Sequence, residues 1–515
     1  MKTRSPFMEL VRQSNLYRLW TLLCVLYEGS ALHRCLATLG RWCNRQIDTS
    51  AVLRVLCREG AVARRWGESG SCRLLGAVLN LPGWLLHKLY TLGKPLFDGS
   101  RFAGLAFEMG AETAIAQSWL VMLLWSIPFE HWNNAYNLMG YFLLLLLFLA
   151  RSMRERDARL DVASIGFYPV LMFGAVCLAV PLSCHTSMST RFLMYHAVCA
   201  LCVLVTVSAV RNAGDLKRLC AGAAVAVMVS SLYGVYQRIQ GVEVVKAYVD
   251  LTVNAGMPGR VESFFDNPNT FAEVLIILLP LVAALVLCAD RWWGRLAAAG
   301  IFAVGAAALG MTYSRASWVG IACAAVVFVF LWKPKLIPAF AVACVVCVPL
   351  LPTTIWNRIL TITNTSDSST ASRFPLYEAA LRVIAQSPIS GAGLGTEAVQ
   401  AFIKENNLYH ARAPFVHAHN IYLEVWIEAG VLGIVGFVGS MLWNIKNAAR
   451  QVRHCADSAA RTITAAAAAA LCGAMVAGLA DYLWNYPRVM SMFWFVFAMA
   501  LAGVKICRQM AAEEK

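Results

Sequence analysis

The segment HAHNIYLEVWIEAGVLG, residues 417–433, places two histidines, an asparagine and two glutamates at the start of an otherwise apolar stretch. A polar group in membrane hydrocarbon costs several kcal/mol unless it is paired or faces water. An imidazole takes a proton from a hydroxyl near neutral pH, so His419, or its rival His417, could act as a general base at such a boundary. His-x-His also occurs in metal sites, but no third ligand follows at a suitable spacing. Glu424 and Glu428 could orient an imidazole or be structural carboxylates.

Three arginines lie in compact motifs that share one face of the predicted membrane topology with His419. They are Arg260 in GRVESFFDNPNTFAE (259–273), Arg315 in TYSRASW (312–318) and Arg373 in SRFPLYEAALR (372–382). A guanidinium is permanently charged and directs paired donors toward a phosphate, so converging arginines are suited to hold a diphosphate. For each arginine alone, a contact with a lipid headgroup or a carboxylate explains the charge as well. Three in one compartment favour the diphosphate.

The composition requires a membrane protein. Of the 515 residues, 59% are hydrophobic and only 14% are charged, a balance that soluble globular proteins do not reach. The net charge of +15 comes mostly from short loops between apolar stretches and from the first hundred residues. That distribution suits anionic lipid and topology signals, and no nucleic-acid partner is expected. The 17 cysteines form no CxxC pair or Cys/His metal spacing and are interpreted as packing residues.

From about residue 112, the chain consists of apolar segments long enough to cross about 30 Å of hydrocarbon as helices. Twelve spans are predicted, near 112–129, 134–150, 162–181, 192–210, 216–236, 271–289, 296–313, 316–332, 335–351, 419–443, 462–482 and 488–507. Basic clusters such as RSMRERDAR (151–159) fall in every second connection between the predicted spans, without a break in phase. Because positive charge stays inside, this pattern places both termini in the cytoplasm. The predicted fold class is all-α, a polytopic membrane helix bundle with a long outer-face loop that contains short helices.

The organisation predicted from these patterns has five parts. They are a basic amphipathic cytoplasmic or interfacial region (1–110), transmembrane helices 1–9 (111–351), a large outer-face loop (352–418), transmembrane helices 10–12 (419–507) and a cytoplasmic tail (508–515). The first part could instead be a partner-docking module. Within the large loop, TNTSDSST (363–370) is interpreted as flexible and the following segment as a short helix on the membrane surface.

The spacing of His419, Asn420, Gly430 and Gly433 resembles the O-antigen ligase and polymerase superfamily, whose ligases carry His-Asn, nine residues, Gly, two residues and Gly. Four further segments are similar to that superfamily, in the same order: NPN (267–269), YSRASW (313–318), R-x-x-x-Y-x-x-A (373–380) and SPISGAGLGT (387–396). The resemblance covers roughly residues 115–505, and residues 1–100 have no counterpart in it.

The resemblance implies a metal-independent, inverting transfer of a glycan from a polyprenyl-diphosphate carrier to an acceptor hydroxyl, with no cofactor. The site would face outward from the bacterial cytoplasmic (inner) membrane, and the acceptor would be a hydroxyl-bearing glycan or glycolipid, as in lipopolysaccharide or other cell-envelope polysaccharide biosynthesis. By the same resemblance, His419 would be the general base, and Arg315, Arg373 and Arg260 would bind the diphosphate. Supporting roles would fall to His417, Asn420, Asn267, Asn269 and Glu424.

Two alternatives remain open at this point. A polymerase of the same superfamily would use the same base and arginines and differ only in its acceptor. A transporter of a small anion or a lipid-linked glycan belongs to another class, and it should show inverted repeats and interrupted helices near the membrane midplane. Here the polar residues cluster at one face and no repeat is evident, so the transferase is favoured.

Overall fold

The computed structural model describes residues 13–57, 60–245, 249, 254, 256–362, 367–411 and 414–513. The first eleven helices are α1 (Asn15–Gly29), α2 (Ala31–Thr49), α3 (Ala51–Cys57), α4 (Ala61–Trp66), α5 (Gly70–Leu92), α6 (Lys94–Gly99), α7 (Arg101–Ala111), α8 (Thr113–Trp125), α9 (Ala135–Arg154), α10 (Val162–Ile165) and α11 (Phe167–Leu182). The others are α12 (Thr186–Ala209), α13 (Ala213–Gln240), α14 (Pro268–Cys288), α15 (Trp292–Met311), α16 (Arg315–Trp332), α17 (Ile337–Cys347), α18 (Thr353–Leu360), α19 (Ser368–Ala371), α20 (Arg373–Gln386), α21 (Thr396–Glu405), α22 (Ile421–Val452), α23 (Ser458–Ala477) and α24 (Pro487–Glu513).

The prediction of an all-α, polytopic membrane bundle is confirmed. Among the described residues, nine helices are long and apolar enough to cross a membrane, namely α9, α12–α16 and α22–α24. Pro334–Leu350 and Thr353–Leu360 together would make a tenth, and α8 and α11 are shorter apolar helices of 13 and 16 residues. A helix lies at each of the twelve predicted positions, but a count of twelve spans stays a prediction.

The chain divides into two compact units. Unit 1 comprises Met1–Leu56 and Val329–Leu351, and its described residues include α2 packed against a short turn at Pro334–Leu336. The approach is close at Gly40, where an added Cβ would lie 2.2 Å from the carbonyl oxygen of Lys335. Only glycine fits there without moving the backbone.

Unit 2 comprises Cys57–Phe328 and Pro352–Lys515 and contains every predicted site residue. Its core is built around α14 and α24. In the most apolar 18-residue stretch of each helix, 72% and 94% of the residues, respectively, are buried. Helices α16 and α23 approach closely where Gly320 and Gly473 meet, since a Cβ on either would lie within 2.8 Å of the other's carbonyl oxygen. Small residues at such crossings let helix backbones pack tightly in lipid.

The second half of the N-terminal region packs onto the bundle within unit 2. Asn80 on α5 donates to the carbonyl of Leu160 at 3.1 Å and accepts from the Leu160 amide at 2.7 Å. Trp66 donates to the carbonyl of Val162 at 3.4 Å, and a His87 ring nitrogen lies 3.0 Å from the carbonyl oxygen of Met153. These contacts fix α4 and α5 to the end of α9 and to the segment that leads from it to α11.

Candidate active site

His419 lies directly before the N-cap of α22, where the backbone turns sharply. Asn420 is the N-cap of this helix, and its side-chain oxygen accepts from the amides of Tyr422 and Leu423 at 3.0 and 3.1 Å. The Asn420 amide group donates to the carbonyl of Leu479 at 3.0 Å, which ties the cap to the turn after α23. His419 itself has φ of +45°, a left-handed conformation that residues with a side chain rarely adopt. The motif therefore fixes the backbone that carries the imidazole.

Asp481 is the partner of the His419 imidazole. Nδ1 of His419 lies 3.0 Å from Oδ1 of Asp481, and the same oxygen accepts from the Tyr482 amide at 3.0 Å. The Asp481 side chain is 10% exposed, whereas that of His419 is 32% exposed. An Nδ1–H bonded to a carboxylate leaves Nε2 with a free lone pair, so this arrangement presents a proton acceptor at an accessible position.

The Asp481 carboxyl lies near His419, Arg373 and His417, and these three side chains affect its pKa. Burial raises its pKa, but the hydrogen bond and charge of His419, together with Arg373 and His417, bring the pKa below its usual range. Burial and the neighbouring His419 lower the pKa of His417 to about 3. His417 is thus a neutral ring at ordinary pH, and its Nδ1 accepts from the His419 amide at 3.2 Å. It supports the His419 backbone and is buried, whereas His419 is partly exposed.

Glu424 and Glu428 do not contact the His419 imidazole. Oε2 of Glu424 accepts from the amide of Ala418 at 2.7 Å, next to His419 in the chain. Oε1 of Glu428 accepts from the Tyr482 hydroxyl at 3.2 Å, next to Asp481. Glu424 therefore holds the backbone next to His419, and Glu428 holds the side chain next to Asp481, which places both in positioning roles.

The two glycine-containing motifs of the sequence meet at a kink in α22. Gly430 has φ of +64° within the helix, and an added Cβ would lie 1.8 Å from the carbonyl oxygen of Ile389. The segment SPISGAGLGT holds this kink, because Ala392 donates to the carbonyl of Ile427 at 2.6 Å and Val431 donates to that of Pro388 at 3.0 Å. The close approach of these two motifs requires glycine.

The three predicted arginines line one small cavity together with Asp481. The cavity has a volume of about 50 Å³, and its walls also include Asn269 and Arg358. At roughly 10–15 Å³ for each enclosed water, this is room for the oxygens of one phosphate group and too little for a sugar ring. Because Asp481 contacts both the cavity and His419, the base and the arginines belong to one site. We call it the arginine cavity.

Two of the cavity's arginines share a buried carboxylate. Asp367 is 1% exposed, and it lies 3.1 Å from Arg315 and 3.2 Å from Arg358. Arg315 also donates to the carbonyl of Thr361 at 2.6 Å. The sequence interpretation of 363–370 as flexible is wrong for Asp367, which is buried in ion pairs with two guanidinium groups; residues 363–366 lie outside the described part of the chain.

Arg373 and Arg260 are held differently. Arg260 is buried and donates to the carbonyl of Thr312 at 2.6 Å and to the side chain of Asn269. Arg373, at the start of α20, is half-buried and makes no hydrogen bond or ion pair with any described residue. Arg373 therefore has donors to offer an anion that enters the arginine cavity.

The NPN motif builds the start of α14. Asn267 is the N-cap and accepts from the amide of Asn269 at 2.8 Å, while Pro268 occupies the first helical position, where its missing N–H is not needed. Asn269 then faces Arg260. Backbone strain gathers around these segments, since Ser263 and Tyr313, which flank Arg260 and Arg315, both have φ above +50°. Such strain is concentrated at functional sites.

A metal site is not formed by the usual ligands in the part of the chain that the structure describes, where no three His, Cys, Asp or Glu side chains are grouped to hold an ion. The positive charge of the site comes from its arginines. The predicted arginines and Asn269 line one cavity with Asp481, the partner of His419. His417, Asn420 and Glu424 adjoin the His419 backbone, whereas Asn267 is placed only as the cap beside Asn269. Sequence reasoning missed Asp481, Arg358 and Asp367; the one available signal was that Asp481 is a lone acid at the outer end of a predicted span.

Comparison with known proteins agrees with this geometry. Residues 300–438 match the family described as O-antigen ligase. The matched segment includes Arg315, Arg358, Arg373, His419 and Gly430, whereas Arg260 and Asp481 lie outside it. None of the curated proteins that were compared matches the chain. The chain is therefore a multi-pass membrane protein whose residues 300–438 are similar to the O-antigen ligase family, and this likeness supports a general role in glycosyl transfer for polysaccharide biosynthesis.

Proposed function

We propose that the protein transfers a glycan from a polyprenyl-diphosphate carrier to an acceptor hydroxyl at the outer side of the cytoplasmic membrane. The observation that carries the proposal is the 3.0 Å contact between His419 and Asp481, because Asp481 also lines the arginine cavity. This contact joins a base to a cationic site, which are the two functions that such a transfer requires.

In the proposed reaction, the acceptor oxygen forms a bond to the anomeric carbon of the donor sugar while the bond from that carbon to the diphosphate oxygen breaks. The acceptor proton passes to Nε2 of His419, and the electron pair of the broken bond leaves with the diphosphate. Asp481 stabilises the imidazolium that forms. Arg373, Arg315 and Arg260, with Arg358, stabilise the charge that develops on the leaving group.

Attack from the face opposite the leaving group inverts the anomeric centre. The arginines provide the fixed positive charge that a metal ion supplies in other diphosphate-using enzymes, so we propose that no metal is needed. The energy of transfer is stored in the sugar-diphosphate bond, so no nucleotide is consumed. A ligase and a polymerase would share these steps and differ in the acceptor.

The test is transfer from a purified polyprenyl-diphosphate glycan by the reconstituted full chain, with and without a metal chelator. Wild type should form product in both conditions, and His419→Ala should lose about 10²–10⁴-fold in rate. Product size, measured by mass spectrometry, separates single ligation from laddered polymerisation. Full activity of His419→Ala would contradict the base assignment, and inhibition by the chelator would contradict metal independence.

A further inference from the structure

A cleft lies between α9 and α12, and like the arginine cavity it adjoins the first turn of α14. It has two lobes that share the lining residues Asn134, Arg191, Tyr195 and Pro487. The loop lobe measures about 500 Å³ and is walled by the segments that precede α9, α14 and α24. The helix lobe measures about 290 Å³ and is walled by the first turns of α9 and α12. Together they are within the range of small-molecule sites, roughly 300–1,000 Å³.

The loop lobe has the composition of a saccharide site. Its aromatic lining includes Phe129, Trp132, Phe264 and Tyr486, and planar polar side chains such as Asn134, Glu130 and Asn485 stand between them. A sugar ring presents apolar C–H faces and a rim of hydroxyls. Aromatic rings cover the faces, and amides and carboxylates pair with the hydroxyls.

The charges of the loop lobe balance. Arg191 and Arg488 line it together with Glu130 and Glu397, and Arg191 lies 3.5 Å from Glu397. A lining with two cations and two carboxylates selects neither a diphosphate nor a cation. It suits a neutral, polyhydroxylated ligand, in contrast to the arginine cavity.

A fixed aromatic stack gives the lobe a rigid wall. The guanidinium of Arg488 is 4.5 Å from the ring centre of Trp132 and 4.8 Å from that of Phe265, and it donates to the carbonyl of Trp125 at 2.5 Å. Nε of Arg488 is buried without a hydrogen-bond partner. Guanidinium–ring contacts of this kind hold aromatic planes in place, so the Trp132 ring is presented in one orientation.

The helix lobe contains a second buried polar atom without a partner. Asn137 is 3% exposed and donates to Ser491 at 3.2 Å, but its side-chain oxygen has no hydrogen-bond donor. Unsatisfied buried acceptors are costly, and a ligand hydroxyl in the lobe would satisfy this one. Beyond Asn137, the lining turns apolar at Leu138, Met194 and Val198. From Arg191 to Val198 the lobe follows α12 for about 10 Å, which gives room for part of an alkyl chain.

The cleft and the arginine cavity share two walls. The consecutive residues Asn269 and Thr270 line one each, and so do Asp481 and Asn485 in the turn before α24. Asn485 donates its amide to the carbonyl of Tyr482 at 3.1 Å, so this turn is compact. A ligand in the cleft therefore lies next to the turn that carries Asp481.

We infer that the cleft binds the saccharide of the acceptor, and that this acceptor is a neutral sugar carried on a membrane-embedded alkyl chain. The acceptor role rests on the proposed function, whereas sugar binding in the cleft does not. The loop lobe holds the sugar and the helix lobe takes the first part of the chain.

The binding test uses dodecyl maltoside that carries a photoreactive diazirine in its alkyl chain, with a diazirine dodecylphosphocholine as the probe without sugar. Both are applied to the full chain in lipid nanodiscs, and cross-linked peptides are identified by mass spectrometry. The maltoside probe should label residues 129–138 and 191–198, and excess unlabelled dodecyl maltoside should compete. Equal labelling by the phosphocholine probe, or labelling that does not compete, would overturn the inference.

Matched variants locate the contact. Trp132→Ala should lower the competed labelling about tenfold. Because Trp132 also packs on Arg488, Phe129→Ala serves as a second variant; its ring is 40% exposed and touches only the edge of Tyr486 among the rings of the described residues. Trp119→Ala is the control, since that ring is 59% exposed on α8 and does not line the cleft. Labelling that falls equally in all three variants would contradict the assignment.

Kinetics then test the acceptor role. Trp132→Ala and Phe129→Ala should each raise the KM for a glycolipid acceptor about tenfold, with the donor KM and kcat unchanged within twofold. A raised donor KM with an unchanged acceptor KM would overturn the acceptor role and assign the cleft to the donor glycan. Sugar-selective labelling in a protein that transfers to no acceptor would contradict the proposed function and leave the saccharide site standing.

Discussion

At the scale of single residues, the proposed reaction depends on how Asp481 holds the His419 imidazole and how four arginines would hold the leaving diphosphate. In this reaction Asp481 acts through His419, so it is a positioning residue. A buried carboxylate at the far ring nitrogen selects the tautomer whose other nitrogen is free, and it stabilises the imidazolium after proton transfer. Removing the carboxylate charge therefore weakens the base without removing it.

Asp481→Asn should lower the transfer rate about 10²–10⁴-fold at neutral pH while the protein stays folded. The loss should not add to that of His419→Ala in the double variant, because both changes disable one unit. Rates of the single and double variants, with thermal unfolding in detergent, check this. Glu378→Gln, an exposed carboxyl on α20, is the control. Additive losses would contradict a shared role.

The pKa shifts of Asp481 and His417 decide how the activity should depend on pH. Because the pKa of Asp481 lies below its usual range and that of His417 is lowered to about 3, both keep one charge state from pH 5 to 9. A loss of activity as pH falls then reports proton uptake by the His419–Asp481 pair acting as one unit. In Asp481→Asn, which no longer stabilises the imidazolium, the acid side of the profile should move to lower pH. An unmoved or rising midpoint would contradict the pair.

Arg373→Lys should raise the donor KM about tenfold with little change in unfolding temperature. Lysine keeps the charge but loses the forked donors, and Arg373 has no hydrogen bond with a described residue to lose. Arg382→Lys is the matched control, because Arg382 is on the same helix and pairs with exposed Glu378. Equal donor KM values for both variants would remove Arg373 from the diphosphate site.

At the scale of elements, the kink of α22 sets where its first turns stand. The helix breaks at Gly430, and the segment 387–396 holds the break through backbone hydrogen bonds to Ile427 and Val431. The part that begins at Asn420 is thus oriented separately from the longer part that crosses the membrane. The two motifs are more than 30 residues apart in the chain, and together they form this kink.

Gly430→Ala should destabilise the protein by at least about 3 kcal/mol, because it adds left-handed strain and a clash with the Ile389 carbonyl. Thermal unfolding in detergent and the amount of protein in the membrane measure this. Gly174→Ala on α11 is the control, since nothing lies within 4 Å of its added Cβ, and it should be neutral or stabilise by up to about 1 kcal/mol. Equal stability of the two variants would show that the kink is dispensable.

At the scale of the whole molecule, the predicted N-terminal region (1–110) is divided between the two compact units. Residues up to Leu56 belong to unit 1, whereas α5 contacts the bundle of unit 2 through Asn80 and His87. Deleting 1–56 should therefore leave the bundle stable and transfer intact. Deleting 1–100 should lower the amount of folded protein several-fold, because the Leu160 and Met153 carbonyls lose their partners. Size-exclusion profiles of both truncations decide; equal profiles would contradict the distinction.

The predicted topology can be tested with a native residue. Cys184 is exposed in the connection between α11 and α12, on the face assigned to the outside. A membrane-impermeant maleimide should label it in intact cells, and Cys184→Ser should abolish that labelling. A cysteine introduced by Asp157→Cys should react only after permeabilisation. The reverse result would invert the topology.

The sequence was most informative where physics leaves one solution. An apolar stretch of about 20 residues satisfies its backbone in lipid only as a helix, so helices lie at all twelve predicted positions. Asn267 and Asn420 are N-caps, a role that the sequence analysis did not assign but that asparagine commonly takes directly before a helix. Asp367 was misread because its composition is that of a loop, while its partners Arg315 and Arg358 are 52 and 9 residues away. Asp481 was missed for the same reason, because its role depends on a contact with His419, which is 62 residues away in the chain.

The ion pairs of Asp367 have a consequence for turnover in the proposed reaction. Guanidinium groups without a counter-ion would hold a departing diphosphate tightly and slow its release. Asp367 already pairs with Arg315 and Arg358, so release of the diphosphate leaves both guanidinium groups in an ion pair. In the proposed reaction, this carboxylate is therefore a resident counter-ion that competes with the product and favours exchange of the spent carrier.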